Sequence, residues 1–189
     1  MVVFMNNNSY KKVVLLLVGV SDVFCDEKSP RFIATSPRTV SSIEKLSGSM
    51  SRISALVNVT PPSDTFKNIK FQHPAKTKNI KFDLFNKTFL NQFNTFTIPS
   101  AVDNETLVLT ADNFDFIFNP DEYEVHIAGI DIYGIFTSII HDLKDKGFDV
   151  VVYSDAIRPY NKQVVEHLRE HCTYTSAWSA LRDKKEIEV

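Results

Sequence analysis

Val125-His126-Ile127-Ala128-Gly129-Ile130-Asp131, then Phe136, Ile139, Ile140 and Leu143, then Lys146-Gly147-Phe148-Asp149-Val150 carry the clearest structural signal in the chain. Glu124 to Ile130 reads as a strand, ended by Gly129 and the polar residues that follow. The four apolar residues that follow lie at i, i+3, i+4 and i+7, which is one face of a helix. Lys144 and Lys146 fall in the last turn of that helix and Gly147 comes directly after, a C-terminal stop signal. Phe148 to Tyr153 is the next apolar strand, closed by Ser154-Asp155. A second amphipathic helix runs from about Asn161 to His171, marked by Val164, Val165 and Leu168. Thr173 to Thr175 reads as a short strand, and Ser176 as the cap of a final helix holding Trp178 and Leu181.

The same alternation extends toward the amino terminus. Val13 to Val20 is a continuous apolar run, the pattern of a strand covered on both faces. Ser41 to Met50 is helix-compatible, with Ile43 and Leu46 at helical spacing, and Ile53 to Val59 is a further apolar strand stopped by Thr60-Pro61-Pro62. Thr106 to Leu109 reads as a short strand. Strands alternating with helices mean βαβ units, right-handed crossovers and a three-layer α/β/α sandwich around a mainly parallel sheet. Ligands then bind beyond the carboxyl ends of the strands, here just after Val18, Leu109 and Ile130. No glycine-rich phosphate loop follows any strand, so a nucleotide cofactor is not expected.

The chain has 189 residues, 43% of them hydrophobic and 23% charged, with a formal net charge of −2. That is enough for one domain with a substantial core, and the charge gives no global reason to expect nucleic acid or an anionic membrane as partner. Cys25 and Cys172 form neither a metal spacing nor a disulfide framework, which suits a reducing, cytoplasmic or organellar-matrix setting. Lys11-Lys12 before the apolar run resembles a signal peptide. However, the run is short, no small-residue cleavage site follows, and acidic Asp22, Asp26 and Glu27 come next. The run is also too short to span a bilayer, so a buried strand is expected there instead.

The series from Val125-His126-Ile127-Ala128-Gly129-Ile130-Asp131 to Ser154-Asp155-Ala156 is similar to the carboxyl-terminal half of the isochorismatase and nicotinamidase-like cysteine hydrolases. The pattern there is a strand, Gly-Val, a polar turn, a nucleophilic Cys at a helix start, Gly-Tyr-x-Val, and a strand ending in Asp-Ala. Tyr174-Thr175-Ser176-Ala177-Trp178 is similar to the family's final strand and helix. Leu15 to Phe24 resembles its first strand, which ends in a catalytic Asp with a Phe five positions on. Leu107 to Ile117 resembles the middle motif, in which a catalytic Lys precedes an aromatic-Ser-Ala-Phe stretch. The resemblance implies an isochorismatase-like (Rossmann-like) sheet across residues 1–189 as a single domain. It also implies that the Cys attacks an amide or related electrophile, with the Asp taking its proton and the Lys stabilising charge nearby.

Set against those motifs, the Asp, Lys and Cys positions of this chain are Gly19, Ala111 and Ile135. None of the three catalytic groups is present, and isoleucine has no nucleophilic chemistry. The expectation is therefore a vestigial pocket (Gly19, Asp22, Ala111, Asp131, Tyr133, Ile135) in a protein that is not an enzyme. Asp22, Asp131 and Tyr133 are the residues that an altered acid–base mechanism would use, and a sensor that keeps the pocket without the chemistry is a further reading. Helix capping and strand-end solvation explain the two acids more simply, with Ile135 filling the pocket with hydrocarbon. His73-Pro74 faintly resembles the family's Asp-x-His metal cluster, but the paired acid position is Phe71. His126, His141, His167 and His171 share no ligand spacing, and the i, i+4 pair His167 and His171 reads as a solvated helix face. No metal and no cofactor are expected.

Residues 64–98 are different from the rest. Asn-Ile-Lys-Phe occurs at 68–71 and again at 79–82, and basic residues (Lys67, Lys70, Lys78 and Lys81 among them) interleave with aromatics such as Phe71, Phe82 and Phe85. The segment reads as an insertion or lid packing on its own core. Next comes a docking surface for a protein partner, where aromatics are the usual anchors. RNA contact is a minor third, since lysines with aromatics also grip backbone and stack bases. The functional expectation is a hydrolase-like pseudoenzyme reused as a structural or interaction subunit of a homo-oligomer or larger assembly. A hydrolase of altered mechanism is the alternative.

Overall fold

The computed structural model describes residues 10–60, 69, 77–81, 96–99, 106–109, 114–131 and 134–182. Its centre is a six-stranded sheet of β1 (Lys12–Val18), β2 (Ile53–Thr60), β3 (Thr77–Lys81), β6 (Tyr123–Ile130), β7 (Val150–Arg158) and β8 (Thr173–Thr175), in the order β3-β2-β1-β6-β7-β8. All five pairings in this sheet are parallel. The strand order reverses between β1 and β6, so the crevice above their carboxyl ends is where the architecture places a ligand.

Two apolar layers cover the sheet. Val14, Leu16 and Val18 of β1 face a cluster with α3 (Phe114–Ile117), α4 (Ile135–Asp145) and α5 (Lys162–His171). Val13, Leu15 and Leu17 face the other side, against Ile43 and Leu46 of α2 (Ser36–Ser49) and Ala177 of α6 (Ala177–Arg182). Every residue from Val13 to Val18 is at most 1% exposed, which is why the run shows no polar alternation. Phe136, Ile139, Ile140 and Leu143 all point inward from α4, as their spacing predicts. That helix ends in a Schellman motif: Phe148 N–H donates to Leu143 O and Gly147 N–H to Lys144 O, with Gly147 at φ 83°.

Two boundaries and one pairing differ from the sequence reading. β7 does not close at Ser154-Asp155 but runs on to Arg158 through an irregularity. Ile127 lies opposite Val152, and Gly129 opposite Ile157, so the extra residues of β7 bulge out with Ser154 and Asp155 exposed. α2 begins at Ser36, with Pro37 in its first turn, rather than at Ser41. β5 (Thr106–Leu109) is a strand as expected, but it pairs antiparallel with β4 (Phe96–Pro99) in a separate two-stranded sheet. The end of β5 is thus not a carboxyl edge of the main sheet. Within residues 64–98, β3 joins the main sheet beside β2, and its strand includes Lys78 and Lys81. No helix among the described residues is long and apolar enough to cross a membrane.

Candidate functional site

The crevice at the switch point is built from the ends of β1 and β6 and the start of α4. Val18 lies opposite Gly129 in the register of the two strands. Gly129 has φ 125°, and a Cβ there would sit 2.1 Å from the carbonyl oxygen of Val18. Only glycine lets the two backbones approach this closely. Gly19 follows β1 at φ 64° and donates its N–H to Val59 O of β2 at 2.9 Å. At the position matched to a catalytic acid there is thus a turn and no side chain.

Ile135 is the first residue of α4 and is 4% exposed, part of the same apolar cluster as Val18, Val59 and Phe136. The position matched to the nucleophile is filled with hydrocarbon that packs into the core. Asp131, directly after β6, is 4% exposed. Its Oδ1 accepts the N–H of Phe136 at 3.1 Å, and its Oδ2 accepts the N–H of Tyr160 at 3.1 Å. Burial pushes the Asp131 pKa up, while the N–H donors of Phe136, Tyr160 and Ile135 pull it down. Its carboxylate is committed to the helix start and the loop after β7, and these contacts are structural. Asp22 opens α1 (Asp22–Cys25), where its Oδ1 accepts the N–H of Val23 at 2.8 Å. Ala111 and Tyr133 lie outside the described residues, as do Lys67, Lys70, Phe71, Phe82 and Phe85.

Cys25 also stands near the carboxyl end of β1, on α1. Burial raises its thiol pKa, the Ser36 hydroxyl and the Ser21 backbone lower it, and the Asp22 charge raises it again. An activated nucleophile needs the reverse, a cation or base beside the thiol. Cys172, far from the crevice between α5 and β8, is pushed up to about 11, chiefly by burial.

Several polar groups take roles that spacing did not reveal. Asp155, carried outward by the irregularity in β7, accepts the N–H of Ala177 at 2.7 Å and so anchors α6, which Ser176 Oγ caps through Ser179 N–H at 3.0 Å as the sequence led us to expect. His126 is 2% exposed, with Nδ1 2.6 Å from Tyr153 Oη and Nε2 3.0 Å from Glu124 Oε1. Arg52 Nη2 reaches the same Glu124 oxygen at 2.9 Å. A polar residue inside an apolar strand, as His126 is within Val125-His126-Ile127, was the available sign of that buried chain. An open cavity of about 390 Å³ lies at the opposite, amino-terminal edge of the sheet, lined by Glu124, Lys144, Asp149, Glu170, His171 and Cys172 among others.

No known sequence family and no curated protein sequence matches this chain. Solved structures do. An isochorismatase-like hydrolase from Alkaliphilus metalliredigens superposes with a TM-score of 0.66 at 11% identity, over 91% of this chain and 98% of that one. N-carbamoylsarcosine amidase from Thermoplasma acidophilum gives 0.64 at 12% identity, over 88% and 96%. A nicotinamidase from Bacillus subtilis gives 0.59 at 12%, over 87% and 100%.

Proposed function

We propose that this chain, which has the isochorismatase-like hydrolase fold, is a non-catalytic member of that structural group that serves as a structural or interaction subunit. The observation that carries the reading is Ile135. The helix start that would present a nucleophile presents a buried aliphatic side chain packed among Val18, Val59 and Phe136. The other polar groups at the crevice do not make good the loss. Asp131 is spent on backbone N–H groups, and Cys25 has its thiol stabilised in the protonated form. Fold and function are separable, so an intact core can be kept after the chemistry is gone.

In this reading the lysines and phenylalanines of residues 64–98 form the contact surface, toward a second copy or a protein partner first and RNA second. The alternative is a hydrolase of altered mechanism working through Asp22, Asp131 or Tyr133. A small-molecule sensor is a weaker third reading, because Ile135 occupies the place where its ligand would sit.

The deciding experiment has two arms. The purified chain is offered nicotinamide, other small amides and isochorismate, and the expected result is no turnover above the uncatalysed rate. Its native mass is measured alone and after recovery from its own cell lysate, where a mass above that of a single chain is expected. Turnover that disappears in Asp22→Asn or Asp131→Asn would establish the altered enzyme instead, and a strictly monomeric, partnerless chain would remove the subunit role.

A further inference from the structure

The helix α5 is weakly held. It buries only Val164 and Leu168, while α4, of nearly the same length, buries Ile135, Phe136, Ile139, Ile140 and Leu143. Local opening is easiest where few apolar side chains anchor an element. The polar contacts along the α4–α5 seam therefore weigh heavily in keeping α5 docked, and three histidines meet there. His167 and His171 lie one turn apart on α5, so their side chains share a face. His141 reaches the same patch from α4. The ring centroids are 4.3 Å apart for His167–His171, 5.6 Å for His141–His167 and 6.1 Å for His141–His171. His141 and His171 are exposed, whereas His167 is half-buried and its Nε2 is enclosed with no hydrogen-bond partner.

From this geometry we infer that His141, His167 and His171 form a pH-sensitive clasp between α4 and α5. Neutral, the three rings pack together over the seam; charged, in mildly acidic solution, they release α5 from the rest of the fold. Histidine is the side chain whose ordinary charge change falls in the physiological range of pH. Rings this close cannot all take a proton without mutual repulsion. A proton on Nε2 of His167 would in addition have no acceptor in reach, in a place shut off from water.

The charged groups around His167 are His171 and Glu170 of its own helix and His141 of α4, with Lys144 of α4 beyond them beside Cys172. Arg169 of α5 is held over the Tyr174 ring of β8, 5.4 Å from its centroid. Burial, then the charges of His171 and His141, push the His167 pKa down, and Glu170 pulls it back up. A histidine depressed in this way leaves the docked form at full strength above the ordinary value of about 6.5. That strength is lost as pH falls from there through the depressed value, because the opened form binds more protons. The i, i+4 spacing alone suggested only a solvated face; it is His141, brought in from another helix, that changes the reading.

The test is amide hydrogen exchange of the full-length chain, read by mass spectrometry at about pH 7.5 and about pH 5 and corrected for the intrinsic rates. Opening of α5 should become about tenfold more frequent at the lower pH, while β1 keeps its protection. His167→Gln should remove most of that response. The double variant His141→Gln/His171→Gln, altered only at exposed positions, should reduce it to less than about threefold. Glu170→Gln, which takes away the compensating negative charge, should enlarge it. The inference fails if α5 exchanges alike at both pH values, or if α5 and β1 lose protection together. It also fails if the double variant responds as strongly as the wild type, an outcome readable even if His167→Gln does not fold.

Discussion

The carboxylate of Asp131 accepts the backbone N–H of Phe136 at 3.1 Å, so the side chain that closes β6 also begins α4. Its other oxygen holds the N–H of Tyr160 after β7. Asp131→Ala leaves both N–H groups without that acceptor, and hydrogen bonds to charged groups are worth more than neutral ones. The expected loss is about 2–4 kcal/mol in urea unfolding. A loss within experimental error would free Asp131 for the acid–base role it is denied above.

Gly129 and Gly134 both have positive φ, but they should respond differently to a methyl group. At Gly129 the added Cβ meets the Val18 carbonyl at 2.1 Å, in the middle of the sheet. Gly129→Ala should cost more than about 4 kcal/mol or prevent folding. At Gly134 nothing lies within 4 Å, so Gly134→Ala should cost only about 1–2 kcal/mol of backbone strain. Thermal melts of the two variants make the comparison.

The chain from half-buried Arg52 and Glu124 to buried His126 and Tyr153 gives a pH-dependent term. Burial acts to raise the Glu124 pKa, but the hydrogen bond and charge of His126, with those of Arg52, outweigh it and hold it low. A depressed carboxylate contributes stability above its unfolded pKa and loses it as pH falls through the folded one. The stability advantage of the wild type over Glu124→Gln should therefore shrink below about pH 4. An advantage that stayed constant to pH 2 would show that Glu124 contributes no ionised partner. Tyr153→Phe, which removes the hydroxyl 2.6 Å from His126 Nδ1, should cost about 1–3 kcal/mol at neutral pH.

Cys172 should alkylate slowly. With the thiol at about 11, roughly one molecule in a thousand is thiolate at pH 8. Iodoacetamide labelling followed by mass spectrometry should show the rate at Cys172 climbing with pH past the ordinary thiol range and jumping on denaturation. Fast labelling of the folded chain at pH 7 would contradict the burial assigned to it.

Much of the fold is legible in the sequence because burial on both faces leaves an unbroken apolar run, as in Val13 to Val18. The helical spacing of Phe136 to Leu143 and the stop at Gly147 are equally direct. β7 misleads because Ser154 and Asp155 are polar inside a strand; they are tolerated because the strand bulges there and turns them outward. β5 misleads for another reason, since a four-residue strand carries no sign of which sheet it will join. At the crevice, the absence of side-chain chemistry at Gly19 and Ile135 follows from the residue types alone. The commitment of Asp131 does not, since it depends on Tyr160 arriving from a distant part of the chain.

The position of β1 at the centre of the sheet, with Lys12 opposite Tyr123, also governs how the chain must assemble. Its partner on one side, β2, is made soon after it, but its partner on the other side is made only after the whole intervening stretch. Closing so long a loop is entropically unfavourable, and non-local parallel pairing is slow. A nascent or truncated chain ending before Tyr123 would therefore leave one edge of an almost wholly aliphatic strand uncovered. That species would be the aggregation-prone intermediate and the one for a chaperone to hold.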